Sequence, residues 1–428
     1  MTRWDEDRAE RHLRSLELFG MRFGLEKMRR MMTVLETPQR RFDSIHVVGT
    51  NGKTSTARMT AAILERHGVR TGTYTSPHLV SYRERIQLRE RDLEGERFAA
   101  AVARAAWAAE RVNRTLSDGD HVTQFELLTA AALWEMAQQN LDVAVVEAGL
   151  GGRYDATSVI ASPVIALTNV GLEHTRWLGP TVRDIAGEKL AVVRDGATLI
   201  HGGDLATDAR DVVERVAGER AATVLEARED GLPELRARGA FQRRNFALAR
   251  QAGQVYLERA GIELRERAVA EAAATQVPGR LQVVEEDPLT VLDGAHNPHA
   301  VAALADSLGD VVGERPLGLV LGVLEDKDAA GMLAIVLERC ERAWFTAPPS
   351  PRALSPAALQ SHARQLGFER VACVQAPACA LAEAQRWARD DGGAVLATGS
   401  VYLVGDLLEE LAQASAPAIV QAWRKAGG

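Results

Sequence analysis

Residues 45–56 read IHVVGTNGKTST: a β-branched apolar run passes directly into a glycine-bearing turn and then into a stretch of helical period. That order of strand, turn and helix is the one a phosphate cradle requires. Glycines at 49 and 52 let the backbone turn tightly, so that several N–H groups and the positive helix terminus converge on one polyphosphate. Gly49, Thr50, Asn51, Gly52, Lys53, Thr54 and Ser55 are therefore the candidate nucleotide-binding residues. Lys53 would neutralise the outer phosphates, and the hydroxyl of Thr54 would reach a magnesium ion. Val47 stands where the longer GxxxxGK pattern needs its first glycine, so the loop is the shorter GxxGKT form. The loop by itself does not choose ATP over another nucleotide.

Outward from this loop, apolar runs bounded by Gly, Asn or Asp alternate with Ala/Leu/Arg-rich stretches of helical period. The pattern is that of an α/β fold with a parallel sheet covered by helices. Buried strands are expected at Ile45–Val48, Val143–Val146 and Val164–Leu167, then at Thr290–Leu292, Leu317–Val323, Ala343–Phe345 and Ala394–Ala397. Long helices are expected at Thr54–His67, Gly95–Arg111 and Phe125–Gln138. The first should end at Arg66-His67-Gly68, where cationic groups suit the carbonyl end of the dipole and glycine suits the left-handed position beyond it. Pro278-Gly279, in ATQVPGR, is the candidate hinge, which divides the chain into residues 1–278 and 279–428.

Composition excludes several classes. With 46% hydrophobic and 25% charged residues, the 428-residue chain is globular and long enough for two cores. The net charge of −7 is spread along the chain without a basic run, so no nucleic-acid partner is expected. The N-terminus is charged where a signal peptide would be apolar, and no apolar run reaches the roughly 20 residues that span a bilayer. Cys340, Cys373 and Cys379 form no CxxC pair and read as small buried apolar residues of a reducing compartment. A cytoplasmic chain with no membrane partner follows.

Glu147 comes straight after the buried run of LDVAVVEAGLGGRYDAT, so its carboxylate should emerge at the carboxyl edge of the sheet, where open α/β sheets bind ligands. VIALTNVGLEHTRWLG delivers His174 to the same edge. Together they suit a divalent ion bridging phosphates. The plain alternatives are a carboxylate capping the glycine-rich turn and a satisfied loop histidine. Lys189, on a helix, reads as a solvated lysine; Arg280 and Asp293 read as ordinary charges beside a turn and a strand end.

The segments FGLEKM, GTNGKTST, TSPHLVSYRERI, VVEAGLGGRYDAT, EHTRWLG, GEKLAVVR, GAFQRRN, PGRLQVV, DGAHNPH, EDKD and TGSVYLVG occur in the order seen in folylpolyglutamate synthases and bifunctional dihydrofolate synthases, of the Mur ligase superfamily. The chain resembles that family over nearly its whole length. The resemblance implies a central P-loop ATPase domain and a smaller Rossmann-like C-terminal domain, with the active site in the cleft between them. It implies an ATP-dependent ligase that adds L-glutamate to a tetrahydrofolate (poly)glutamate or to dihydropteroate through an acyl phosphate. Apart from the resemblance, a monomer is expected.

By motif, the resemblance gives Lys53 and its neighbours the ATP phosphates. Ser76 of TSPHL, Glu147 and His174 take two Mg2+ ions, and Lys189 is the lysine that becomes carbamylated and helps hold the second metal. Asn245, Arg280 and Asp293 match residues contacting adenine, phosphate and ribose, with His296 beside the same nucleotide. Pterin contacts fall around Gly24, on Thr123–Glu126 including Phe125, and near Tyr154, Asp155 and Ala156. The chain departs from the family pattern in three places: GKTS where GKGS or GKGT is usual, Glu173 before the histidine, and Leu190-Ala191 after the lysine. The first leaves open which hydroxyl among Thr54, Ser55 and Ser76 binds metal. Two other readings stay open: a Mur-type amino-acid ligase of peptidoglycan synthesis, favoured by GKTS, and an ATP-driven switch without ligation.

Overall fold

The computed structural model describes residues 3–17, 24–117 and 119–426. Its contacts divide the chain into two units. The first runs up to Pro77 and then takes in Tyr82–Arg236 and Gln242–Thr275; the second takes in His78–Ser81, Ala237–Phe241 and everything from Gln276 onward.

In the first unit the strands are β1 (Asp43–Val48), β2 (Thr71–Tyr74), β3 (Ile86–Leu88), β4 (Arg91–Asp92), β5 (Val143–Glu147), β6 (Val164–Leu167), β7 (Thr198–Gly202) and β8 (Thr223–Ala227). They form one sheet in the order β4-β3-β2-β5-β1-β6-β7-β8. All neighbours from β2 to β8 are parallel, and only β3 and β4 add on antiparallel. The strand order reverses at β1, which opens a crevice beyond the carboxyl ends of β5, β1 and β6.

Both faces of the central strands are buried, which explains why apolar residues dominate them. Ile45 and Val47 pack with Ala57, Ala61 and Leu64 of helix Lys53–Arg66, while Val48, Ile165 and Leu167 pack with Ile185 and Leu190 from helix Val182–Leu190. Helix Lys53–Arg66 stops with His67 as its cap and Gly68 at φ +84°, the left-handed position that favours glycine. The expected cation at His67 is corrected: its Nδ1 lies 2.7 Å from Ile63 O while Nε2 accepts from Arg265 N–H at 2.8 Å, which uses the neutral ring.

The second unit holds β9 (Gln282–Glu286), β10 (Leu289–Leu292), β11 (Leu317–Leu321), β12 (Arg342–Phe345), β13 (Val371–Cys373) and β14 (Ala394–Thr398). Their order is β13-β12-β11-β14-β10-β9, parallel except for the β9–β10 hairpin. β11 ends at Leu321, earlier than the expected Val323, although Val323 is buried. All seven expected strands and all three expected helices are present, with ends shifted by a residue or two. The expected α/β fold with parallel sheets is present, and one edge of each sheet carries antiparallel strands, β3 and β4 in the first and β9 in the second. The cysteines are corrected as well: Cys373 and Cys379 are exposed, and only Cys340 is half-buried.

Candidate active site

Helix Lys53–Arg66 begins at Gly52, whose φ of +83° lets the chain turn into the helix. No side chain caps this end. Its first-turn N–H groups and its dipole are the features that favour a phosphate. The loop is held from the neighbouring strand exit: Thr50 N donates to Asn169 O at 3.0 Å, Asn51 N to Asn169 Oδ1 at 2.9 Å, and Gly171 N to Thr50 Oγ1 at 3.0 Å. A Cβ at Gly49 would collide with Thr168, and one at Gly52 with Asn245 Oδ1. Asn245 is itself fixed, with Nδ2 donating to Gln242 Oε1 at 3.0 Å. Lys53 folds back to donate to Thr50 O at 3.0 Å.

Glu147, the last residue of β5, is only 2% exposed. Thr54 Oγ1 lies 2.8 and 3.1 Å from its two oxygens, and Ser76 N donates to it at 3.1 Å. The structure thus brings Thr54, Ser76 and Glu147 to one point, while Ser55 is buried in the helix at 1% exposure. Among the described residues no three His, Cys, Asp or Glu side chains form a metal cluster. The chemistry of the donors nonetheless fits Mg2+, a hard ion that takes one or two carboxylates and completes its shell with hydroxyl, phosphate and water oxygens.

Lys189 overturns the reading of a solvated lysine. It is 4% exposed and donates to Gly49 O at 2.7 Å. Burial, reinforced by the nearby Lys53 and opposed by Glu173 and Asp155, lowers its ammonium to about 7. Glu173 also stands 3.7 Å from the ring of its neighbour His174, which has φ +51° and opens the short helix Thr175–Leu178. Lys189 therefore senses the charges of Lys53, Glu173 and Asp155, and His174 lies beside Glu173.

Of the residues matched to the pterin, Tyr154, Asp155 and Ala156 lie in the segment after β5, and Phe125 reaches its Gly149. Asp155 is buried, and its carboxylate accepts from Leu150 N at 2.7 Å and from both the amide and the hydroxyl of Thr157. Burial raises its pKa against these hydrogen bonds. Ala156 is buried, while Tyr154 is 51% exposed. A Cβ at Gly149 would run into the ring of Phe125. Thr123 and Glu126 form a capping box at the start of helix Gln124–Gln138, and the buried Lys27 sits 3.4 Å from Glu126 and 3.1 Å from Asp120. Gly24 is half-buried with nothing within 4 Å of a built Cβ; Phe23, which opens FGLEKM, lies outside the described residues.

In the second unit Asp293 is another correction, for a residue read as an ordinary charge. It is 3% exposed and accepts from Leu281 N and Ala295 N, both at 2.8 Å. Burial raises its pKa, opposed first by Arg280. These bonds hold Leu281 at φ +42°, an unfavourable conformation for a residue with a Cβ. Arg280 donates to Gly279 O at 2.8 Å, and His296 Nδ1 lies 2.8 Å from Gly294 O.

Sequence reasoning overlooked Thr168, Asn169 and Gln242. The only signal for the first two was TNVG, a polar turn directly following a buried strand; Gln242 lay inside GAFQRRN without a distinguishing pattern.

Family models match both units. The Mur ligase middle domain matches residues 47–198, and the Mur ligase glutamate ligase domain matches residues 279–401. The folylpolyglutamate synthase of Lacticaseibacillus casei is 32% identical over 78% of this chain and 84% of its own length. The dihydrofolate synthase/folylpolyglutamate synthase of Escherichia coli is 33% identical over 85% of each chain. The chain belongs to the folylpolyglutamate synthase/dihydrofolate synthase family. A probable bifunctional folylpolyglutamate synthase/dihydropteroate synthase of Haloferax volcanii is 35% identical over 93% of this chain, which spans about half, 49%, of that relative. Among solved structures, the Mycobacterium tuberculosis folylpolyglutamate synthase complexed with ADP superimposes with a TM-score of 0.88 at 30% identity, covering 95% of this chain and 99% of that one. Escherichia coli FolC in complex with DHPP and ADP gives 0.82 at 28% identity, covering 98% of each. The two-unit α/β architecture is thus that of the folylpolyglutamate synthases over almost their full length.

Proposed function

We propose that this chain is a cytoplasmic ATP-dependent ligase that joins the amine of L-glutamate to the carboxylate of a tetrahydrofolate (poly)glutamate, of dihydropteroate, or of both. The observation that carries the reading is the meeting of Thr54, Ser76 and Glu147 beside a bare helix N-terminus and Lys53. Two exposed free thiols agree with a reducing compartment, and no described helix is long and apolar enough to cross a membrane.

A carboxylate resists amines because its leaving group would be oxide. In the first step a substrate carboxylate oxygen bonds the γ-phosphorus of ATP, the bond from that phosphorus to the bridging oxygen breaks, and ADP leaves. In the second the glutamate amine bonds the acyl carbon, the carbon–oxygen bond to phosphate breaks, and phosphate departs as the amine loses a proton. Loop N–H groups and Lys53 hold the phosphates in line and offset their charge, a positioning and electrostatic task. Mg2+ ions held by Glu147 with Ser76 or Thr54, and by His174 with carbamylated Lys189, would supply further charge neutralisation. Burial of Lys189 with its amine near neutrality supports the carbamate, since CO2 adds only to an uncharged amine. By resemblance, Asn245 is assigned to adenine, Arg280 to phosphate and Asp293 to ribose, with His296 near the nucleotide. Gly24, Thr123, Phe125, Tyr154, Asp155 and Ala156 are assigned to the pterin.

The test is ADP release with ATP alone, with glutamate added, and with glutamate plus dihydropteroate, tetrahydrofolate or a muramyl nucleotide. ADP release requiring both glutamate and a pteroyl compound is expected, and Glu147→Gln should abolish it. Turnover without glutamate would support a switch, and turnover only with the muramyl nucleotide a peptidoglycan ligase.

A further inference from the structure

His46 is out of place by its surroundings. It sits in the middle of β1 between Ile45 and Val47, is 1% exposed, and is paired in register with Val146 on one side and Ile165 on the other. A β-branched residue would suit that position better, and an imidazole buried there without a partner would cost stability. Its partner is the hydroxyl of Thr157, 2.9 Å from Nε2. That hydroxyl is committed in one direction, because it donates to Asp155 Oδ1. The ring must therefore donate from Nε2–H to Thr157 Oγ1. Asp155 in turn accepts from Thr157 N at 3.0 Å and, through its other oxygen, from Leu150 N at 2.7 Å. The polar chain runs from the centre of the sheet to the turn at residues 149–155. Gly149 in that turn leaves room for both Phe125 and Asp155.

We propose that His46 is a positioning residue for substrate: acting through Thr157 and Asp155, it sets the turn at residues 149–155 in the shape that receives the pteroyl group. This rests on assigning Phe125 and Tyr154–Ala156 to that group. The physical reason is directional. Asp155 needs donors to stay ionised in a buried site, and its four acceptor positions tolerate several arrangements. Thr157 can rotate its hydroxyl; His46 cannot move, being held in a strand bonded on both sides. A donor fixed at His46 Nε2 occupies the hydroxyl's lone pair and leaves Asp155 as the target of its proton. Carboxylate and Leu150 amide are thereby locked together. Arg194, which donates to Ser158 O at 3.0 Å, and Ser158, which donates to Gly152 O, fasten the backbone nearby but touch neither oxygen of Asp155.

The experiment compares the wild type with His46→Leu, His46→Gln and Thr157→Val in two measurements. Glutamine places an N–H donor near the position of Nε2, whereas leucine removes it; valine keeps the volume of threonine without its hydroxyl. Amide hydrogen exchange on the ligand-free protein should show Leu150 and Thr157 exchanging on the order of tenfold faster in His46→Leu and Thr157→Val, and near wild-type in His46→Gln. Steady-state kinetics should show KM for the pteroyl substrate raised on the order of tenfold in the same two variants, with KM for ATP unchanged. Unchanged exchange at both amides in Thr157→Val, or a loss spread equally over ATP and pteroyl KM, would overturn the proposal. Exchange that responds as expected in a protein whose wild type ignores every pteroyl compound would instead overturn the assigned substrate, and with it the pteroyl role given to the turn.

Discussion

Gly52→Ala tests how the phosphate loop is braced. The backbone there has φ +83° and ψ −5°, and a side chain in the left-handed region costs about 1–2 kcal/mol. The added methyl also meets Asn245 Oδ1, and Asn245 has little room to yield, being 7% exposed and bonded to Gln242 at 3.0 Å. Displacing it forfeits that bond, a net loss of about 0.5–1.5 kcal/mol. The sum is about 1.5–3.5 kcal/mol, of which only the backbone part survives when residue 245 is alanine. Denaturant unfolding of the wild type, Gly52→Ala, Asn245→Ala and the double variant should therefore give a coupling energy of about 1 kcal/mol. The single glycine variant should also raise KM for ATP, since the same clash turns the loop N–H groups away from the phosphates. An equal cost of Gly52→Ala in both backgrounds would show that residue 245 does not brace the loop, and no cost at all would refute the left-handed turn.

Acid should destabilise the first unit through His46, whose pKa is lowered to about 3 by burial and, secondarily, by Arg194. Below pH 6.5 the unfolded chain takes up a proton that the folded ring refuses, so stability falls as pH drops and levels off near 3; the term is about 2 kcal/mol at pH 5. Unfolding of His46→Gln across pH 7 to 4 should show a shallower slope, and an identical slope would contradict a neutral buried ring. For Lys189, whose amine titrates near 7, incubation with labelled bicarbonate at pH 8 should produce a carbamate carbon in the NMR spectrum of the wild type and none in Lys189→Arg. Enzyme stripped of CO2 should regain activity several-fold on adding bicarbonate, and an absence of label would remove the carbamate. Glu147→Gln should lower pteroyl-dependent ADP release by at least about a hundredfold, as expected for a group that neutralises charge in the transition state; near-normal turnover would remove Glu147 from the metal site.

The amino-acid order by itself determined the class of fold and the place of the phosphate loop. Runs such as VAVV and VIAL are legible because central parallel strands are buried on both faces and are therefore dominated by apolar residues. The glycines of GTNGKT are legible because only they permit the turn. Strands at the margins were not: TGTY of β2 lacks an aliphatic run, and Gly72 is buried only because Met136 and Leu141 cover it. At the site, Glu147 could be placed from its position after a strand, but Lys189 could not, since nothing near it in the sequence shows that Gly49, Lys53 and Glu173 surround its amine. Asp293, His46 and Thr157 are of the same kind. Whether a polar side chain is solvated or buried and partnered depends on residues distant along the chain, such as Asp155 for Lys189 and Leu281 for Asp293. Local pattern carries the elements because backbone geometry and burial periodicity are local; the protonation and aim of a charged group are set by its three-dimensional neighbours, and those exist only once the chain has folded.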